Sequence, residues 1–92
     1  MSEEELWNLL VDSQNEEYTT YKGLTFSYTI RGYEMFVSRK DKSITRATIM
    51  IAFHRAQELM QSVGSVKGPK KLGTFGASYI YVIFEKLGIL QR

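Results

Sequence analysis

The first apolar side chains of the chain recur at the spacing of one helix face: Leu6, Trp7, Leu9, Leu10 and Val11. This stripe is typical of an amphipathic helix. Ser2 precedes it and Glu5 stands three residues further on, which is the order of a capping box that satisfies free amides at a helix start. We therefore predict a short helix over residues 2–14, and a helix of that length needs tertiary packing to persist.

Apolar and polar side chains alternate from Thr25 to Arg31, as in a strand with one buried face. A two-residue loop at Arg31 and Gly32 would return the chain into a second strand and form a hairpin over residues 24–39. This loop requires a positive φ at Arg31. The register then places three apolar pairs on one face: Ile30 with Tyr33, Tyr28 with Met35, and Phe26 with Val37.

Two features lie outside this simple hairpin. Phe36 falls on the polar face of the second strand, so we expect the N-terminal helix or another element to cover it. The segment from Tyr18 to Lys22 is a candidate for a short third strand.

A second apolar stripe at helical spacing follows the hairpin: Ile49, Ala52, Phe53, Ala56, Met60 and Val63. It predicts a helix over residues 44–61, with Ser43 as its cap, lying across the apolar face of the hairpin. A loop rich in glycine and lysine separates it from a third predicted helix over residues 74–87, for which Thr74 is the candidate cap. Gly88 stands where a left-handed helix end belongs.

These elements predict an α+β fold in the order α-β-β-α-α. An antiparallel β-hairpin packs against the helices, and 92 residues suit a single small domain.

Composition excludes several kinds of chemistry. The chain has no cysteine and one histidine, so we expect no metal site and no cofactor. His54 falls on the polar side of its helix without grouped carboxylates, so we expect it to be exposed and the protein not to be an enzyme. No apolar run is long enough for a membrane span, and the acidic start differs from a secretion signal. We therefore expect no membrane association and a cytoplasmic location.

Charge is divided unevenly along the chain. Residues 1–17 hold six carboxylates and no base, whereas residues 18–92 hold twelve Lys and Arg against four carboxylates. The two parts therefore carry −6 and +8, and the whole chain carries +2. The acidic segment has two interpretations. It is either a helix whose Glu residues favour its own dipole, or an arm that covers the basic part and competes with an anionic partner.

The basic residues predict a surface that binds the backbone of DNA or RNA. They fall in two stretches, joined by polar groups at the start of the third helix: Arg39, Lys40, Lys42 and Arg46; Lys67, Lys70 and Lys71; and Thr74, Ser78 and Tyr79. The third helix carries no Arg, Asn or Gln, so we expect phosphate contacts rather than base reading. The prediction requires these basic groups to converge on one face. If they scatter, a protein-interaction function is favoured instead. The other interpretation of the glycine-rich loop is a solvated turn.

The alternative is a module for protein interaction or oligomerisation. Tyr and Trp are common interface anchors, and four apolar side chains could be exposed together: Phe36, Met50, Tyr79 and Tyr81. A two-stranded sheet also has open edges that favour a protein partner or a homodimer.

Overall fold

The computed structural model describes residues 1–90, which form three α-helices and five short strands. The elements in chain order are α1 (Glu3–Asp12), β1 (Tyr18–Thr19), β2 (Thr25–Phe26), β3 (Tyr28–Arg31), β4 (Glu34–Val37), β5 (Ile44–Thr45), α2 (Arg46–Ser62), a 3-10 turn (Pro69–Leu72) and α3 (Ala77–Lys86). β1 and β2 form one antiparallel sheet, and β3, β4 and β5 form another with β4 in the middle. The predicted α+β class and small single domain are confirmed, with three strands more than predicted.

The capping box at the start of α1 is confirmed. The Ser2 hydroxyl accepts from the Glu5 amide at 3.1 Å, and the Glu5 carboxylate accepts from the Ser2 amide at 2.8 Å. The hydrogen bonds to Ser2 lower the pKa of Glu5, because they favour its charged form.

The hairpin forms with a register that differs from the predicted one. Ile30 pairs with Met35 and Tyr28 with Val37, so the two-residue loop is Gly32-Tyr33. The shift places the positive φ of 60° on Gly32, where it costs little, instead of on Arg31. The two registers differ by two residues, so Tyr28, Ile30, Met35 and Val37 keep the same face. Tyr33 does not pair with Ile30 as predicted, because it lies in the loop and is 72% exposed.

The predicted first strand is divided at Ser27. Phe26 does not pair with Val37 but with Tyr18 in the small sheet. The candidate third strand is confirmed for Tyr18 and Thr19 only, because the chain turns at Tyr21 and Lys22. The contact shown for Phe36 is with Arg31. The guanidinium of Arg31 lies 4.2 Å above the centre of its ring and shields it from the outer side of β4.

The second and third helices begin later than predicted. Ile44 forms a strand pair with Met35, so α2 starts at Arg46 with Thr45, not Ser43, as its cap. Thr74 is not the cap of α3, because Gly76 precedes the helix in a left-handed conformation. The hydroxyl oxygen of Thr74 is buried without a hydrogen-bond partner in the part of the chain described.

The left-handed end of α3 is confirmed. Gly88 has φ 76°, and the Ile89 amide donates to the Phe84 carbonyl at 2.9 Å, as in a Schellman motif. One apolar core joins the helices and both sheets, and its most deeply buried members include Leu6, Leu10, Tyr28, Met35, Ile44, Ile49, Ile80 and Ile83. No helix within residues 1–90 has the length and apolarity to cross a bilayer.

Candidate functional site

A pocket of about 520 Å³ opens between the β1–β2 turn, the 3-10 turn and the first turn of α3. Four lysines line it: Lys22, Lys67, Lys70 and Lys71. Its apolar lining comes from Tyr21, Leu24, Pro69 and Tyr79, and Ser78 adds a hydroxyl. No carboxylate of residues 1–90 lines this pocket, which we call the lysine pocket.

Two further lysines extend the basic surface beyond Tyr79. The ammonium of Lys40 lies 4.4 Å from the ring centre of Phe75 and 5.7 Å from that of Tyr79. The ammonium of Lys42 lies 5.3 Å from the same Phe75 ring. Lys40 thus links the lysine pocket to Phe75. We call the lysine pocket together with Lys40, Lys42 and Phe75 the lysine face.

Buried neighbours hold the loop that carries three of these lysines. Val66 and Leu72 are both in the core, one before and one after the lysines. The Tyr81 hydroxyl donates to the Val66 carbonyl at 3.1 Å, which fixes the start of the loop. Gly68, with φ 136°, allows the backbone to turn into the 3-10 turn. The loop is therefore anchored at both ends, and the side chains of Lys67, Lys70 and Lys71 on it are exposed.

The lysines of the face form none of the ion pairs within residues 1–90. Those pairs use four other bases: Arg46, His54, Arg55 and Lys86. Because the six lysines have no carboxylate partner among the described residues, their charge remains available to an external anion.

Two predicted arginines have other environments. Arg46 lies 3.8 Å from the Glu3 carboxylate, with its guanidinium 5.8 Å from the Trp7 ring and 5.5 Å from the Tyr33 ring. Arg46 therefore belongs to the contact between α1 and α2. The sequence did not predict this, because helical spacing alone does not reveal which element packs on the outer side of α2. Arg39 donates to the Thr25 carbonyl at 2.6 Å and fastens the end of the hairpin to β2.

Sequence reasoning missed part of the site. Ser78 and Tyr79 line the pocket as predicted residues, whereas Thr74 does not line it. Tyr21, Lys22, Leu24 and Phe75 were missed, although Gly23 next to exposed apolar and basic residues marks a turn that could present them. Tyr21, Leu24 and Phe75 are three of the seven large apolar side chains exposed in the described part of the chain.

The predicted interaction surface does not form. Met50 is 5% exposed and Tyr81 is 1% exposed, because both face the core rather than the outer side of their helices. Phe36 is half-buried beneath Arg31, and Tyr79 belongs to the lysine face.

The open edge expected of the hairpin is also covered. β5 pairs on one side of β4, which places β3 at the edge of its sheet. The Ile30 amide donates to the Gln14 side chain at 2.9 Å, and the Tyr28 carbonyl accepts from the Asn15 amide at 2.9 Å. These contacts occupy backbone groups that a strand from a second molecule would need.

His54 is exposed, as predicted, and joins α2 to the first turn of α1. Its Nε2 lies 2.5 Å from a Glu3 carboxylate oxygen, and its Nδ1 lies 3.2 Å from the Gln57 side-chain oxygen. The hydrogen bond to Glu3 raises the pKa of His54 above its ordinary value. Residues 1–90 contain no group of three or more His, Asp or Glu side chains placed to hold a metal ion.

Stability should therefore fall as His54 loses its proton. Because the pKa of His54 is higher in the folded chain, protonation stabilises the fold. This contribution is complete below an unfolded pKa of about 6.5 and is lost as pH rises through the folded pKa. The free energy of unfolding, measured with urea at about pH 5.5 and about pH 8.5, should be slightly smaller at the higher pH. His54→Gln and Glu3→Gln should each reduce that difference, and a full pH dependence in both variants would contradict the assignment.

No protein family, no curated protein and no solved structure matches this chain.

Proposed function

We propose that this protein binds nucleic acid through the lysine face, by contacts to the phosphate backbone, and catalyses no reaction. One observation carries the proposal: six lysines from three stretches of the chain lie around one pocket and its neighbouring Phe75 ring, and no ion pair within residues 1–90 uses them. A polyanion is the partner that binds most favourably to such a group of unneutralised cations, because each phosphate contact releases a condensed counterion.

Arrangement of the remaining charge is consistent with this proposal. The Glu3 carboxylate on α1 forms ion pairs with Arg46 and His54, and neither of these residues is part of the lysine face. Glu16 lies 3.7 Å from the ammonium of Lys86 in the last turn of α3. Two of the six carboxylates of the acidic segment therefore pair with bases outside the lysine face.

A double substitution tests the proposal. Lys70→Gln combined with Lys71→Gln should weaken binding of a short labelled oligonucleotide about tenfold at low salt. The slope of log affinity against log salt should also decrease, by about 0.7 for each lost contact to a single strand. Fluorescence anisotropy at about 50 mM and about 200 mM salt measures both effects. In the unaltered protein, backbone amide signals from Lys67 to Gly76 should shift on titration.

The matched control removes the same charge elsewhere. Arg31→Gln combined with Lys86→Gln also lowers the net charge by two, at positions outside the lysine pocket. We expect this control to retain affinity within about twofold, because both side chains lie outside the lysine face. An equal loss in both double variants would show that net charge alone matters, and no loss in either would exclude the site.

A further inference from the structure

We infer that the lysine pocket seats an unpaired base of a single-stranded nucleic acid, with the lysines around it holding the flanking phosphates. This inference rests on the proposed function and names the form of nucleic acid that the site selects. The inference is based on an apolar hollow that is surrounded by lysines. Its volume of about 520 Å³ lies within the range of pockets that hold small organic groups.

Two tyrosine rings line this hollow, and each is supported by a buried ring. Tyr79 meets Phe26 at a centroid distance of 4.9 Å and an interplanar angle of 82°. Tyr21 meets Tyr81 at 6.2 Å and 88°. Phe26 and Tyr81 belong to the core, so the edge-to-face contacts orient the two lining rings before any ligand binds. A preoriented ring loses little freedom when a base stacks on it.

The lining favours an unpaired base over a duplex. A duplex keeps its bases stacked inside and presents phosphates to a protein surface, so it has no group that fills an apolar hollow. A single strand presents both a flat apolar base and a phosphate in each nucleotide. The apolar and cationic parts of the lysine pocket match these two parts.

A second exposed ring lies next along the same surface. Phe75 is 44% exposed and stands beneath the ammonium groups of Lys40 and Lys42. Lys40 is near both Phe75 and Tyr79, so cations and rings alternate from the pocket to Phe75. This alternation is typical of surfaces on which successive bases of one strand stack.

Three ligands of equal length test the inference: an oligothymidine strand, an abasic strand with the same phosphates, and a duplex. The oligothymidine strand should bind at least about tenfold more tightly than the abasic strand, because each stacked base contributes measurably to affinity. It should also bind more tightly than the duplex. Fluorescence anisotropy at a fixed low salt concentration gives all three dissociation constants.

Substitution of the exposed ring separates stacking from charge. Tyr21→Ser should lower affinity for oligothymidine about fivefold or more while leaving affinity for the abasic strand unchanged. Tyr21 is 65% exposed, so this variant is expected to fold. Tyr79→Leu should act in the same way and keeps an apolar side chain against Phe26. The control is Tyr33→Ser, which alters a 72% exposed tyrosine at the hairpin turn, away from the lysine pocket.

The outcomes distinguish this inference from the proposed function. Equal affinity for oligothymidine and the abasic strand, or a preference for the duplex, overturns base seating but leaves phosphate binding intact. Equal affinity for oligothymidine and a polyglutamate peptide of the same charge also overturns base seating. Failure to bind any nucleic acid overturns both.

Discussion

Gly76→Ala is expected to lower the free energy of unfolding by roughly 2–5 kcal/mol, as the sum of a backbone cost and an overpacking cost. Gly76 has φ 71°, a conformation that costs an L side chain about 1–2 kcal/mol. A methyl group added there would also overlap the δ-methyl of Ile44. Ile44 is fully buried, so its δ-methyl would have to shift within the packed core to make room. Urea denaturation followed by the fluorescence of Trp7 measures the loss.

Gly88→Ala is the matched control for this substitution. Gly88 has φ 76°, close to that of Gly76, but an added methyl group there would have nothing within 4 Å. We expect Gly88→Ala to cost only the backbone part, about 1–2 kcal/mol. Equal losses in the two variants would show that Ile44 adjusts without cost and would contradict the packing argument.

The same glycine connects the fold to the lysine face. Gly76 stands between Phe75 and the start of α3, and the first turn of α3 carries Ser78 and Tyr79. Its close approach to Ile44 therefore sets how α3 begins relative to β5. If Gly76→Ala remains folded but shifts this turn, we expect weaker oligonucleotide binding although the net charge is unchanged.

Local patterns predicted the helices well. The stripes of α1 and α2, the capping box at Ser2 and the glycine end of α3 all depend on residues close in sequence. The hairpin register was not decided by its apolar pattern, because a shift of two residues leaves Tyr28, Ile30, Met35 and Val37 on the same face. Turn chemistry decides it: glycine at the first loop position adopts a positive φ, whereas the predicted loop required one at Arg31.

Long-range contacts account for what the sequence could not predict. In the sequence Ile44 resembles the first residue of a helix, but in the structure it pairs with Met35 across the sheet. The lysines of the second stretch were predicted as a site from composition, but their meeting with Lys22 depends on how the β1–β2 turn lies against α3. Arg46 pairs with Glu3 and is not part of the lysine face, which the sequence could not predict because it depends on how α1 docks against α2.

Leu10→Ala is expected to destabilise the protein by about 2–5 kcal/mol, the range for removing a large buried side chain. Leu10 is fully buried, and the Tyr28 hydroxyl donates to its carbonyl at 2.6 Å. Tyr18 donates in the same way to the carbonyl of Ser13, so two core tyrosines bind the end of α1. Leu24→Ala is the control, because Leu24 is half exposed and its loss should change stability by about 0.5 kcal/mol or less.

This comparison tests the two interpretations of the acidic segment. A displaceable arm would tolerate Leu10→Ala with little loss of stability, whereas an integral helix would not. Because α1 contributes Leu6, Trp7 and Leu10 to the core, the helix is part of the packed fold. Glu3 then faces Arg46 and His54 on α2 and is not available to compete for the lysine face. Leu24→Ala, in contrast, should keep stability and weaken single-strand binding, since Leu24 lines the lysine pocket.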